Sequence, residues 1–201
     1  MTQIRLADDA DADAIAAIYR PIVEQTAISF ETTAPNRDEI AQRITSTLPE
    51  FPWVVCEIDS RIAGYAYASR HRFRRAYRWS VDTSVYVDGR FQRRGLGRGL
   101  YVSLFAILSA QGYFNAFAGI ALPNPASVAL HESLAFKAIG VYRQAGYKLD
   151  RWHDVGWWQL TLREPEASPA EPTALHAIVQ RSGWEDLLAS GQAFVRTATR
   201  S

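Results

Sequence analysis

With 201 residues, 48% of them hydrophobic, the chain is long enough to bury one sizeable core and too short for several domains. A formal net charge of +1 excludes a general polyanion binder, and the single cysteine excludes an internal disulfide framework and argues against a structural zinc site. Met1-Thr2-Gln3-Ile4-Arg5 lacks an apolar signal region, and no stretch approaches the roughly 18 apolar residues of a membrane span, so a cytoplasmic protein with no membrane partner is expected.

In chain order, Ile4-Arg5-Leu6 reads as a short strand. Asp8 or Asp9 then caps a helix that carries Ile15, Ile18 and Tyr19 on one face and ends near Pro21. Ile28-Ser29-Phe30 falls in a loop or a second short helix. A further helix begins at Asn36 or Arg37, runs through Ile40 and Ile44 to about Leu48, and is closed by Pro49 and Pro52. Trp53 to Ile58, a turn at Asp59-Ser60 and Ile62 to Ser69 make a β-hairpin, with Cys56 in its apolar run as a core residue. The run from Arg70 to Trp79 is the most basic in the chain and interleaves aromatics, a pattern that single-stranded nucleic acid suits. Acidic residues elsewhere cancel its charge and no repeat extends it, so no nucleic-acid partner is expected. From Trp79 to Val87, Val81, Thr83, Val85 and Val87 share one face of a strand, and Ser80, Asp82, Ser84 and Tyr86 the other.

A glycine-rich basic loop follows, Gln92-Arg93-Arg94-Gly95-Leu96-Gly97-Arg98-Gly99, and opens a helix with Leu100, Leu104 and Leu108 at helical spacing and Gly112 at its end. Such a loop is a phosphate cradle: glycines let the backbone approach a ligand, and N–H groups at a helix N-terminus can converge on one pyrophosphate. Its spacing is not that of a Walker loop, which needs a lysine that is absent here. A dinucleotide fingerprint fits poorly, since Leu100 stands where a third Gly or Ala belongs and Tyr113 to Ala116 where an acidic residue belongs. A plain glycine-rich turn before a core helix is the bland alternative.

Phe114 to Leu122 is a short strand stopped by Leu122-Pro123-Asn124-Pro125, and Ser127 to Leu134 a short helix presenting His131. Val141 to Lys148 and Val155 to Leu162 form two strands joined through Asp150 to Asp154. Residues 164–172 are a Pro/Ala/Glu-rich linker, and residues 173–201 a C-terminal extension holding one helix around Trp184, Leu187 and Leu188. Mixed strands and helices with a ligand loop at a strand-to-helix turn give an α/β (α+β) sandwich.

The Gln92-x-x-Gly95-x-Gly97 cradle after a β-branched strand resembles the acetyl-CoA motif of the GNAT N-acetyltransferases. Leu122-Pro123-Asn124, Ser127-Val128, His131-Glu132, Gly146-Tyr147-Lys148 and the run Trp152 to Leu160 extend the likeness, from about Ile4 to Leu162, to the phosphinothricin/methionine sulfoximine acetyltransferase branch. The resemblance implies a GNAT domain over residues 1–163, with a mixed, splayed central sheet of seven strands flanked by helices and acetyl-CoA in the split. It also implies a homodimer. By it, main-chain groups of Val85, Tyr86 and Val87 meet the acetyl and pantetheine parts, Gln92, Arg93, Arg94, Gly95, Leu96, Gly97 and Arg98 hold the pyrophosphate, and Asn124, with Ser127, contacts the pantetheine arm. The family's proposed base is a glutamate at the position of Asp82, here one methylene shorter, which favours a base acting through water.

Acetyl transfer from a thioester to an amine needs a neutral amine, a held thioester and relief of charge on the carbonyl oxygen. Asp82 or neutral His131 is the candidate base, directly or through one water, and a backbone N–H near Val85 or Tyr86 can meet the oxyanion. Each has a bland reading: Asp82 pairs with an arginine of the basic run, and His131 with Glu132 or a neighbour. A small anionic or zwitterionic amine is expected, held by Arg74 or Arg75 with Tyr77 and closed on the apolar side by Phe30. His71, His131, His153 and His176 lack metal-ligand spacing, so no metal is expected. The alternatives are a GNAT acting on a protein N-terminus or another metabolite, and a non-catalytic acyl-CoA-binding regulator.

Overall fold

The computed structural model describes residues 2–196. A hairpin seeds the sheet: β2 (Trp53–Ile58) and β3 (Arg61–Arg70) turn at Asp59 and Ser60, both at positive φ (47° and 61°), as a tight two-residue turn requires. β1 (Thr2–Leu6) adds to one side and β4 (Ser80–Val87) to the other. With β5 (Asn115–Leu122), β6 (Lys137–Lys148) and β7 (Arg151–Thr161), the order is β1-β2-β3-β4-β5-β7-β6. The β4–β5 pairing is parallel and covers three positions, Ser80 with Asn115, Val81 with Ala116 and Asp82 with Phe117. Beyond them the strands part, which is the expected central splay.

The sheet is covered on both faces. α1 (Ala12–Gln25) and α2 (Arg37–Thr47) bury Ile15, Ile18, Ile40 and Ile44 against Trp53, Val55 and Tyr65. α2 starts on a reciprocal cap, Asn36 accepting from Glu39 N and Glu39 from Asn36 N. α1 does not end at Pro21. It runs on to Gln25, because Val23 beyond the proline is fully buried and Thr26 Oγ1 donates to the Ile22 carbonyl at 2.6 Å. On the other face α3 (Leu96–Gln111) buries Leu100, Leu104, Ile107 and Leu108 and stops at Gly112 in the left-handed region (φ 98°). α4 (Pro125–Ser133) follows β5. The β6–β7 connection is shorter than the sequence suggests: Leu149 and Asp150, both at positive φ, make the turn, and residues 151–154 already belong to β7, where His153 is buried.

The C-terminal extension carries two short helices, α5 (Leu175–Val179) and α6 (Trp184–Ala189), and a final 3-10 turn over Gln192–Phe194. Leu175, Ile178, Trp184 and Leu188 are buried in the same core as α3. Helices of five and six residues carry too little periodicity to be read from a hydrophobic pattern. The linker is tied down as well: Trp79 Nε1 donates to the Ala170 carbonyl (2.8 Å), and Glu171 pairs with Arg75 (3.1 Å) and Arg78 (2.7 Å). Residues 197–201 of the extension lie outside the described residues.

Candidate active site

Alternation along β4 sends Val81 into the α3-side core and Asp82 to the opposite face. There its Oδ1 lies 2.6 Å from Nδ1 of His71. Its partner is thus a histidine and not an arginine. The hairpin register delivers it, since Ser69 pairs with Asp82 and Arg70 with Val81, and His71 is the next residue out. The imidazole stacks on Phe117 (4.2 Å between centroids, 14° between planes), with Tyr77 (5.9 Å) and Trp157 (6.3 Å) edge-on. Burial pushes the Asp82 carboxyl above its usual range, and the hydrogen bond from His71 works against that. His71 is hidden in the sequence among the arginines of a basic run; counting residues across the hairpin register to Asp82 is the signal that finds it.

His131 is placed differently. Its Nδ1 donates to the Ser127 carbonyl (2.7 Å) and its Nε2 accepts from the Tyr101 hydroxyl (3.1 Å). It is buried, which holds its pKa below the usual histidine value and keeps it neutral. Glu132 turns instead to Trp158. His131 lines the cleft opened by the splay, together with Ser84, Val85 and Tyr86 of β4, Gly119 to Ala121 of β5, Asn124 just before α4 and Ser127 in its first turn. Asn124 Oδ1 caps α4 by accepting from Ser127 N (3.1 Å).

The glycine-rich loop follows β4 and leads into α3. Arg93 (φ 59°) and Gly95 (φ 80°) are both left-handed, and residues in that conformation within a turn gather successive N–H groups into an anion-binding concavity. The first-turn N–H groups of α3, from Leu96, Gly97 and Arg98, add to it because a helix start leaves them without intrahelical acceptors. Leu96 itself is a core side chain, so it offers only its backbone. Val85 and Val87 likewise pack on the core and leave main-chain groups to the cleft. Gln92, Arg93 and Arg98 are exposed.

The glycines also make room for other parts of the protein. A Cβ on Gly97 would meet Leu130 of α4 at 2.9 Å, one on Gly95 would run into the Phe194 carbonyl, and one on Gly99 would meet the Gly191 carbonyl at 2.7 Å. The extension therefore braces the loop: Arg196 N donates to the Arg94 carbonyl (2.8 Å), Arg98 lies over the Phe194 ring (4.9 Å), and Ser103 Oγ both donates to Leu188 O (2.6 Å) and accepts from Gly191 N (3.1 Å).

Of the residues expected to hold substrate, Tyr77 joins His71 and Asp82. Arg75 is 81% exposed and turned to Glu171, and Arg74 borders a surface hollow with Glu50, Phe51 and Ser80. Phe30 packs on Gly146 of β6 and lies 6.1 Å from the His153 ring. The arginine nearest the histidine is Arg72, over the Trp157 ring (5.7 Å) and lining, with His71, Phe117, Tyr142 and Trp157, a cavity of about 210 Å³.

This arrangement matches a known architecture. The family profile described as acetyltransferase (GNAT) domain matches residues 4–157. The phosphinothricin N-acetyltransferase of Streptomyces viridochromogenes is 40% identical over 178 residues, 89% of this chain and 95% of the relative. The L-methionine sulfoximine/L-methionine sulfone acetyltransferase of Salmonella typhimurium is 36% identical over 83% of this chain and 98% of its own. The chain belongs to the GNAT acetyltransferases. A putative acetyltransferase from Salmonella typhimurium, solved with its cofactor acetyl-CoA, superposes with a TM-score of 0.81 at 34% identity, covering 85% of this chain and 99% of that one. This GNAT enzyme is accordingly an acetyl-CoA-dependent N-acetyltransferase.

Proposed function

We propose that this enzyme acetylates the amino group of a small amino-acid-like substrate of the phosphinothricin or methionine sulfoximine/sulfone type. The observation that carries the reading is the position of Asp82, a carboxylate on β4 at the last position paired with β5, where the sheet opens. The names of the relatives support the substrate class. Bound acetyl-CoA would supply an activated thioester. The protein's own part is then to hold and to deprotonate. The loop from Gln92 to Arg98 receives the pyrophosphate, Asn124 and Ser127 flank the pantetheine arm, and main-chain groups of Val85, Tyr86 and Val87 polarise the carbonyl. Asp82 drives removal of the amine proton. His131, with both nitrogens engaged by Ser127 and Tyr101, shapes the cleft wall.

Substrate anchoring is assigned to the basic run from Arg72 to Tyr77, closed by Phe30. Arg72 has the strongest claim among its arginines because it borders the His71 cavity, with Arg74 and Arg75 further out. An arginine fork fixes a carboxylate or phosphinate through two parallel hydrogen bonds and so orients the amine. We further infer a homodimer, supported by the edge strand β6, which exposes Ile139, Val141, Tyr142 and Tyr147. A cytoplasmic location is proposed from composition, and no helix among the described residues is long and apolar enough to cross a membrane.

The test is thiol release from acetyl-CoA with phosphinothricin, methionine sulfoximine, methionine sulfone, the common amino acids and short peptides. Turnover confined to small amines bearing an acidic group is expected. Preference for peptides, or for amines without an anionic group, would overturn the substrate class.

A further inference from the structure

Asp82 does not meet the amine site alone. We propose that His71 takes the proton of the attacking amine and that Asp82 is its positioning partner; this deepens the acetyl transfer proposed above and rests on it.

Four observations lead there. Since a carboxylate accepts, the contact of 2.6 Å between Asp82 Oδ1 and His71 Nδ1 sets neutral His71 in the Nδ1–H tautomer and leaves the lone pair on Nε2. No described residue hydrogen-bonds that nitrogen, and His71 lines the cavity shared with Arg72 and Trp157. The ring is immobilised: its side chain is 10% accessible, flat on Phe117 and bounded by Tyr77 and Trp157. Phe117 is the β5 partner of Asp82 at the last paired position, so the imidazole lies at the lip of the split. An aspartate there reaches less far than a glutamate, and the histidine extends it. His131, the other histidine near the cleft, has no free nitrogen.

The protons balance. A substrate ammonium gives one proton to solvent and becomes nucleophilic. Its nitrogen then forms the N–C bond to the acetyl carbon as the C–S bond breaks, and it passes a second proton to His71 Nε2 while the Asp82 carboxylate stabilises the imidazolium. That proton goes on to the departing sulfur, and the third stays on the amide nitrogen. The charged and titratable groups around the ring are Asp82 of β4, Arg72 of the same loop, Tyr77 of the following turn and Tyr142 of β6. β5 and β7 contribute Phe117 and Trp157, which carry no charge.

The test combines pH–rate profiles with the titration of the His71 ring protons by NMR, in the wild type, Asp82→Asn, His71→Gln and His71→Ala. The wild-type kcat/KM should fall on the acid side along a limb that coincides with the His71 titration. His71→Gln should lower kcat by roughly 100-fold or more, the usual range for a general base, and abolish that limb. Added imidazole should restore part of the His71→Ala rate, which keeps the test decisive if the glutamine variant folds poorly. Asp82→Asn should move the His71 titration to lower pH, because the imidazolium loses its anion. An active His71→Gln enzyme with an unchanged acid limb, or a His71 titration indifferent to Asp82→Asn, overturns the proposal. A wild type that acetylates no amine fails the parent reading instead.

Discussion

A neutral imidazole buried between a carbonyl and a tyrosine hydroxyl has a consequence for stability. Burial lowers the His131 pKa in the fold below the ordinary value of 6.5. Between the two values the unfolded chain binds the extra proton and the native state does not, so His131 favours folding above 6.5 and loses that contribution progressively as pH falls below it. Urea midpoints between pH 7.5 and 5 should fall, and His131→Asn should flatten the part of the slope that this residue supplies. A second residue with a defined cost is Gly95. At φ 80° an L side chain costs about 1–2 kcal/mol, and a Cβ would also collide with the Phe194 carbonyl. Gly95→Ala should therefore destabilise by at least about 2 kcal/mol in denaturant titration and weaken acetyl-CoA binding. For Gly97→Val, part of any loss in cofactor affinity would come from displaced Leu130, 2.9 Å from the added Cβ, and not from ligand collision alone.

The C-terminal extension is the element whose role differs most from its appearance in sequence. A proline-rich linker sets the extension apart from the site motifs in sequence, yet Gln111 Nε2 donates to the Glu50 and Thr173 carbonyls, Thr173 N donates back to Gln111 O, and α5 and α6 complete the core over α3. Each fully buried aliphatic side chain stabilises by about 1.5–3 kcal/mol. A chain ending at Arg163 loses Leu175, Ile178, Trp184 and Leu188 and uncovers their neighbours, so its Tm should drop on the order of 10 °C or more. A shorter deletion separates folding from binding. A chain ending at Ala189 keeps α5 and α6 but removes the segment that braces Arg94, Gly95 and Gly99; it should keep its kcat while the KM for acetyl-CoA rises by roughly 10-fold, about 1.4 kcal/mol. Equal KM values for the two forms would show that the brace is irrelevant to the donor.

At the scale of the whole molecule, the sheet has one protected and one unprotected edge. β1 is flanked by the extension, with Gln192 Nε2 donating to the Thr2 carbonyl. β6 is exposed along nearly its whole length, and its apolar side chains continue into Leu149 and Trp152 at the hairpin tip. If β6 is the dimer contact, light scattering should give twice the chain mass, and a Val141→Lys, Tyr142→Lys double variant should give a monomer with an unchanged far-ultraviolet spectrum. A wild-type monomer would remove the dimer from the proposed function.

Local patterns suffice for most of the elements, because alternation on β4, the Asn36 cap, the turn at Asp59-Ser60 and the glycine stop at Gly112 are decided by neighbours a few residues away. The motifs after β4 likewise suffice for the GNAT family and its donor, since a cradle for pyrophosphate is a property of one loop and one helix start. The order of the strands, the point at which β4 and β5 separate, the pairing of His71 with Asp82 and the docking of residues 173–196 on α3 are decided only in three dimensions. Each depends on side chains distant in sequence competing for the same buried surface or hydrogen-bond partner. His71 is one basic residue among many until the hairpin register sets it beside a carboxylate, and nothing near Gly95 and Gly99 in sequence shows that the far end of the chain packs against their Cα positions.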